Sequence, residues 1–321
     1  MSKSFTFVLS LINVEGDLPI EVIPQHLFQK ANPDQIDTIK ELLARLFPYP
    51  WLESPYEYTV QEIPQDTPGS FEYKYEVLPQ QDWRYWVIAF EGYNTEIPEL
   101  GFASALLKND LELGFTVLSL DIIRDAPSGS QGYLWHLPSL FSYFLDDMFG
   151  KKPVVNINSA DIGEIGTNYA LIKSISAEHE HITRALERFD TLRSLPRSSE
   201  LVIIGLFSII ESLITHSPKL SESSDSLSHQ IKTKIPLLGK RFQRALDYEL
   251  FFDPSSKESA IWSKLYDYRS KIVHGEHTDI DSKLQILRSR ENIISFLREA
   301  VKLLLLLALK EPVLLTDLKK C

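Results

Sequence analysis

The sequence predicts an α+β fold, with a mixed, mainly antiparallel β domain at the N-terminus followed by an all-α helical bundle. Three observations indicate this order. Aromatic and charged residues alternate between positions 56 and 90, which is typical of antiparallel strands. Apolar residues recur at helical spacing through most of the second half. The net charge also differs between the two halves. Residues 1–160 hold 10 Lys and Arg against 22 Asp and Glu, whereas residues 161–321 hold 23 Lys and Arg against 22 Asp and Glu.

The length of 321 residues favours two domains, which we expect over residues 1–170 and 171–321. Residues 121–132, 161–169 and 218–228 are expected to be connections. Strands are expected within residues 4–12, 20–23, 56–60, 71–78, 83–90, 114–120 and 154–158. Helices are expected from residue 33, over 100–110 and 133–149, and then over 177–195, 200–215, 229–238, 240–248, 261–273 and 284–310.

The composition favours a soluble, cytoplasmic protein. The single cysteine, Cys321, cannot form an internal disulfide, which fits a reducing compartment. The first residues lack the apolar core of a signal peptide, and the longest apolar run, residues 303–309, is too short to span a bilayer. No membrane partner is therefore expected. The acidic first half repels phosphate, so any nucleic-acid contact is expected in the second half.

The most informative stretch is residues 262–276, which contains Arg269, His274 and Gly275. Glycine is the usual residue just after a helix end, because it adopts positive φ without a Cβ clash. Side chains five residues apart point about 140° apart on a helix. Arg269 and His274 therefore converge more easily if the helix ends there, and we expect its last turns to reach residue 273.

This pair of side chains suits a particular chemistry. A guanidinium matches phosphate oxygens, and an imidazole can move protons near neutral pH. Together they fit cleavage of a phosphodiester next to a ribose 2′-OH, with neither metal nor cofactor. The spacing alone arises by chance about once in a chain with 13 Arg and 8 His, so a surface arginine and a capping histidine are the alternative.

The wider context resembles a known family. Arg269 is followed by the polar Ser270, and apolar residues then lead to His274. This resembles the Arg-polar-x-x-x-His signature of HEPN domains, in particular the ApeA-like subgroup. The apolar segment over residues 200–214, with Glu211 near its end, resembles the helix that precedes the catalytic one in that family. The resemblance covers about residues 176–310.

The resemblance implies a homodimer in which both Arg-His pairs line one cleft, and RNA cleavage that leaves a 2′,3′-cyclic phosphate. His274 would transfer a proton and Arg269 would stabilise the phosphate. Ser270 would orient the cleft, although Asn or Asp is common there in the wider superfamily. Glu211 would hold Arg269, or would equally form a structural ion pair in the core, and His277 would assist.

The resemblance also implies RNA as the partner, with tRNA as one candidate. It further implies an antiviral defence effector, whose N-terminal domain senses an unidentified trigger or regulator. One alternative is a catalytically inactive HEPN module that binds RNA or a protein, and another is an interaction protein that only dimerises. Basic residues near the signature are predicted to contact the RNA backbone: Lys232, Lys234, Lys240, Arg241, Arg244 and Lys271. Asp146 and Asp147 lack accompanying metal-ligand residues.

Overall fold

The computed structural model describes residues 4–46, 55–65, 71–92, 96–120, 130–135, 154–196, 199–217, 226–280 and 283–320. The chain forms two compact units, Met1–Thr167 and Asn168–Cys321. An antiparallel sheet dominates the first unit and helices make up the second, so the predicted α+β class is confirmed. The boundary between the units falls slightly before the predicted one, within the helix Ser159–Lys173.

Most strands of the first unit belong to one antiparallel sheet. The strands are β1 Ser4–Val8, β2 Ile12–Glu15, β3 Ile20–Ile23, β4 His26–Lys30, β5 Tyr58–Pro64, β6 Phe71–Val77, β7 Trp86–Phe90, β8 Leu113–Ser119, β9 Gln131–Trp135 and β10 Val155–Asn158. The sheet has the order β3-β4-β7-β1-β8-β9, a separate hairpin pairs β5 with β6, and β2 pairs in parallel with β10. The helices are α1 Pro33–Leu46, α2 Ile97–Ala105 and α3 Ser159–Lys173.

Helix α1 covers part of this sheet. Its start is a reciprocal cap, because the Asn32 side chain accepts from Gln35 N and the Gln35 side chain accepts from Asn32 N. Its apolar stripe joins the sheet residues in one buried cluster, which includes Ile36, Ile39, Leu42, Phe5, Phe7, Val87, Ala89, Phe115 and Val117. Burial of this stripe fixes the helix on the sheet.

Two predictions for the first unit are wrong. Residues 161–169 were expected to be a link but lie in α3, which begins where the Asn158 side chain accepts from the N–H groups of residues 160 and 161. Residues 131–135 form β9, where a loop and the start of a helix were expected. The rest of that expected helix, with Asp146 and Asp147, lies outside the described residues.

The second unit is helical over the residues described. Its helices are α4 Glu180–Leu192, α5 Glu200–Ile214, α6 Leu227–Gly239, α7 Tyr248–Phe251, α8 Glu258–His274, α9 Arg290–Lys310 and α10 Pro312–Lys320. The core helix is α9, in which every residue over 303–309 is buried. A helix that is apolar on all sides requires contacts on all sides, which its neighbours provide. Of the helices described, none is long and apolar enough to cross a membrane.

Some helix limits differ from the prediction. Residues 240–247 form a turn, a bend and an irregular stretch instead of a helix. The short α7 begins only at Tyr248, where the Asp247 side chain caps it by accepting from Leu250 N. The last predicted helix begins at Arg290, because Ser289 caps it by accepting from Asn292 N. A 3-10 turn, Gln285–Leu287, precedes this cap.

Candidate functional site

The signature helix, α8, ends as the sequence predicts. Gly275 adopts the left-handed conformation with φ of 67°. Its N–H donates to Ile272 O at 3.1 Å, and the N–H of Glu276 donates to Lys271 O at 2.9 Å. These two hydrogen bonds form a Schellman motif, which satisfies carbonyls of the last turn. His274 is therefore the last helical residue.

An aromatic cluster anchors the other end of α8. The ring of Trp262 is fully buried and lies 5.4 Å from the ring of Phe296 on α9. Its indole N–H donates to the hydroxyl of Tyr248 at 2.9 Å. Burial raises the pKa of Tyr248 to about 12, so this hydroxyl stays protonated at neutral pH. Arg269 lies two turns after Trp262 and therefore on nearly the same side of the helix.

Arg269 reaches Glu211 on the neighbouring helix α5. Its Nη2 lies 3.5 Å from Glu211 Oε1, and the two side chains are 23% and 17% exposed. In the described part of the chain, Arg269 Nε and Glu211 Oε1 are buried without a hydrogen-bond partner. The contact is thus an ion pair without aligned hydrogen bonds, in a side chain that keeps some exposure although its Nε is buried.

The guanidinium also lies over an aromatic ring. Its central carbon is 5.6 Å from the ring centroid of Tyr266, one turn earlier on α8. The ring of Tyr266 in turn meets that of Phe207 on α5 edge-on, at 6.1 Å between centroids. Two contacts to α5, one aromatic and one ionic, therefore set the direction of the Arg269 side chain.

Burial and charge act in opposite directions on Glu211. Burial raises the pKa of this carboxyl above its ordinary value, and the positive charge of Arg269 lowers it in part. The pKa of Tyr266 is also raised, mainly by burial, while Arg269 lowers it and Glu211 raises it further. The site is therefore a partly desolvated group of one cation, one anion and one phenol.

The structure brings only some of the predicted site residues together. Arg269 and Glu211 meet, whereas His274 and His277 are exposed at and after the end of α8. Ser270 is half-buried. Among the residues described, no hydrogen bond or ion pair joins His274 to Arg269. One chain therefore presents a held arginine and, separately, an exposed imidazole.

Lys234, one of the predicted RNA contacts, is a structural residue. It is only 7% exposed, and its ammonium donates to Ile214 O at 3.0 Å and to Leu318 O at 2.9 Å. These carbonyls lie in the last turns of α5 and α10, where backbone acceptors lack partners within the helix. This burial argues against the predicted RNA contact of Lys234, because its charge is used inside the fold.

The other predicted RNA contacts differ in their surroundings. Arg241 pairs with Glu311 at 2.6 Å, and Arg244 pairs with Glu299 at 2.7 Å. Lys240 is exposed. Lys232 and Lys271 are half-buried. Acidic neighbours thus lower the net positive charge that Arg241 and Arg244 offer to a phosphate backbone.

Sequence reasoning missed one contact beside the site. Thr278 Oγ1 donates to Glu200 Oε1 at 2.7 Å, and this bond ties the segment after α8 to the first turn of α5. The two residues are far apart in sequence, and neither belongs to the quoted motif. The only signal in the sequence was Glu200 after Ser199, which indicated the start of a helix but did not indicate Thr278 as a partner.

The described residues contain no group of three or more His, Cys, Asp or Glu side chains that could hold a metal ion. Comparison of the chain with protein-family models, with curated proteins and with solved structures finds no match. The geometry of α5 and α8 is therefore the basis for assigning a function.

Proposed function

We propose that this protein is a metal-independent endoribonuclease of the HEPN type, acting as a homodimer in the cytoplasm. The observation that carries the proposal is the Arg269–Glu211 pair, held across α8 and α5 five residues before an exposed histidine at the helix end. A partly exposed guanidinium can bind a phosphate, and an exposed imidazole can reach the ribose next to it.

In the proposed reaction, the 2′-oxygen of one ribose attacks the adjacent phosphorus and loses its proton. The bond from phosphorus to the 5′-oxygen breaks, and this leaving oxygen gains a proton. The products are a 2′,3′-cyclic phosphate and a 5′-OH. His274 transfers protons, and Arg269 stabilises the charge that develops on the phosphoryl oxygens. The HEPN resemblance implies that two chains together form the cleft in which both Arg-His pairs act.

Glu211 is proposed to orient Arg269 without neutralising it. The separation of 3.5 Å supports this role, because a close bidentate pair would occupy the guanidinium fork. A role in antiviral defence, with the acidic N-terminal unit responding to a trigger, is proposed on the resemblance of the motif alone.

A second candidate is a catalytically inactive module that binds RNA or a protein. The observation that favours it is the partial burial of Arg269, which is 23% exposed and already paired. A purely structural ion pair would have the same contacts. This candidate predicts RNA retention without any cleavage product.

The test is cleavage of total RNA and of short oligonucleotides by the full chain in EDTA. We expect the wild type to leave cyclic-phosphate ends. We expect His274→Ala and Arg269→Ala each to lower the rate by about 10²–10⁴-fold. His229→Ala is the matched control, because His229 is an exposed histidine on α6. Equal cleavage by wild type and His274→Ala, with both folded by circular dichroism, contradicts the proposal.

A further inference from the structure

The segment that follows α8 is held to α5 by the hydrogen bond from Thr278 to Glu200. Its length is 2.7 Å and both side chains are half-buried. Glu200 is the first residue of α5, the helix that also provides the carboxylate paired with Arg269. One helix therefore holds the chain on both sides of His274.

The backbone between these two points has little freedom. The Schellman motif fixes Glu276, whose N–H donates to Lys271 O. Thr278 is fixed to α5 two residues later. His277 is the only residue between the two anchors, so the path from His274 to Thr278 is restrained at both ends.

We infer that Thr278 and Glu200 are positioning residues for the proposed cleavage: their hydrogen bond sets where the backbone of His274 and His277 lies relative to Arg269. This inference rests on the proposed function. Proton transfer requires the imidazole within hydrogen-bond reach of the reacting oxygen, and a misplacement of about 1 Å can lower a rate about 10²-fold. Neither Thr278 nor Glu200 needs to contact the RNA.

The experiment uses the full chain and five variants, of which Glu200→Ala alone and Glu200→Ala with Thr278→Val form a double-mutant cycle with Thr278→Val. Thr278→Val removes the hydroxyl and keeps the side-chain shape, whereas Thr278→Ser keeps the hydroxyl. Thr191→Val is the matched control, because Thr191 is exposed and its hydroxyl donates to Glu187 O within α4. The readouts are kcat and KM for RNA cleavage in EDTA, and hydrogen exchange of the backbone amides over residues 272–280.

We expect Thr278→Val to lower kcat about 10–100-fold while KM changes little. We expect exchange at the Gly275 and Glu276 amides to become about tenfold faster, because a hydrogen bond to a charged acceptor no longer holds the segment. Thr278→Ser should restore both values, and Thr191→Val should change neither. Glu200→Ala combined with Thr278→Val should be no slower than the slower single variant.

The outcomes separate this inference from the proposed function. Wild-type kcat and wild-type exchange in Thr278→Val overturn the positioning role. If the wild type shows no cleavage that depends on His274, the proposed function fails instead. In that case the hydrogen-exchange measurement still shows whether the Thr278–Glu200 hydrogen bond restrains the segment after α8. Faster exchange that Thr278→Ser reverses supports the restraint, and unchanged exchange overturns it.

Discussion

Nη2 of Arg269 lies 3.5 Å from Oε1 of Glu211, and this ion pair joins α8 to α5 at a half-buried position. Each partner limits the cost of burying the other, because an unpaired charge in a desolvated place is strongly unfavourable. The pair therefore contributes to stability whether or not the protein cleaves RNA. Its loss has consequences that can be measured without an RNA substrate.

The first prediction concerns Arg269→Ala, which we expect to lower the free energy of unfolding by about 1–3 kcal/mol at pH 7.5. Burial already raises the pKa of Glu211 above its ordinary 4.5, and loss of the arginine raises it further. A raised folded-state pKa means that stability is lost as pH rises from about 4.5 through that pKa. The variant should therefore lose less stability, relative to wild type, near pH 5.

Urea unfolding of the two proteins at pH 5 and pH 7.5 measures this difference. The double variant Arg269→Ala with Glu211→Gln is the control, because the amide does not ionise and should recover part of the stability at pH 7.5. An equal loss at both pH values would show that Glu211 does not ionise against Arg269.

The second prediction concerns His181 on α4. Burial lowers the pKa of this imidazole below its ordinary 6.5, and the charges of Lys319 on α10 and of neighbouring His179 lower it further. A lowered folded-state pKa means that the unfolded chain binds the proton first. Stability from this group is present above about pH 6.5 and is lost as pH falls through the folded-state pKa.

We therefore expect His181→Gln to reduce the fall in unfolding free energy between pH 7.5 and pH 5.5. Urea unfolding at the two pH values measures it, with His229→Gln as the control for a histidine substitution on an exposed helix surface. The prediction fails if wild type and His181→Gln lose the same free energy over this interval.

The third prediction concerns two glycines of α3. A Cβ on Gly166 would lie 2.2 Å from Val22 O, a backbone atom that cannot move aside cheaply, whereas a Cβ on Gly163 would meet nothing within 4 Å. Gly166→Ala should therefore destabilise the first unit by about 1–3 kcal/mol. Gly163→Ala should stabilise it by about 0.5–1 kcal/mol, because alanine loses less backbone entropy in a helix.

Urea midpoints of the two alanine variants and the wild type measure this contrast, since both substitutions add one methyl group to the same helix. Equal midpoints for the two variants would mean that α3 does not approach Val22 as closely as the structure shows.

These glycines also show where sequence reasoning reaches its limit. The end of α8 was predictable, because Gly275 after an apolar helical pattern is a local signal. Gly163 and Gly166 instead favoured a link, although Gly166 is needed for a tertiary contact that the local sequence does not reveal. Local chemistry thus predicted the end of α8 but not the close packing of Gly166 against Val22.

In the candidate site, too, the features that depend on local sequence were predicted and a tertiary contact was missed. The motif placed Arg269 and His274 correctly at the end of a helix, and the contact of Arg269 with Glu211 is present. The hydrogen bond from Thr278 to Glu200 was missed, because it depends on how the chain folds back after α8. Whether these residues cleave RNA stays a prediction.

The last prediction separates a structural lysine from a candidate RNA contact. Lys234→Met keeps most of the side-chain volume but removes the ammonium that donates to Ile214 O and Leu318 O. Two helix-end carbonyls then lose a donor, and we expect a loss of about 1–3 kcal/mol in unfolding free energy. Lys240→Met changes an exposed residue and should shift stability by less than about 0.5 kcal/mol.

For RNA binding we expect the larger effect from Lys240→Met and the smaller one from Lys234→Met. Lys240→Met should weaken binding and reduce the slope of log affinity against log salt by about one, because one phosphate contact is lost. Lys234→Met should leave the slope unchanged under conditions where the variant is folded, since its charge already lies inside the protein. Urea unfolding and fluorescence-anisotropy titrations at several salt concentrations measure both effects. A stable Lys234→Met variant with a reduced salt slope would mean that Lys234 leaves its buried position to contact RNA.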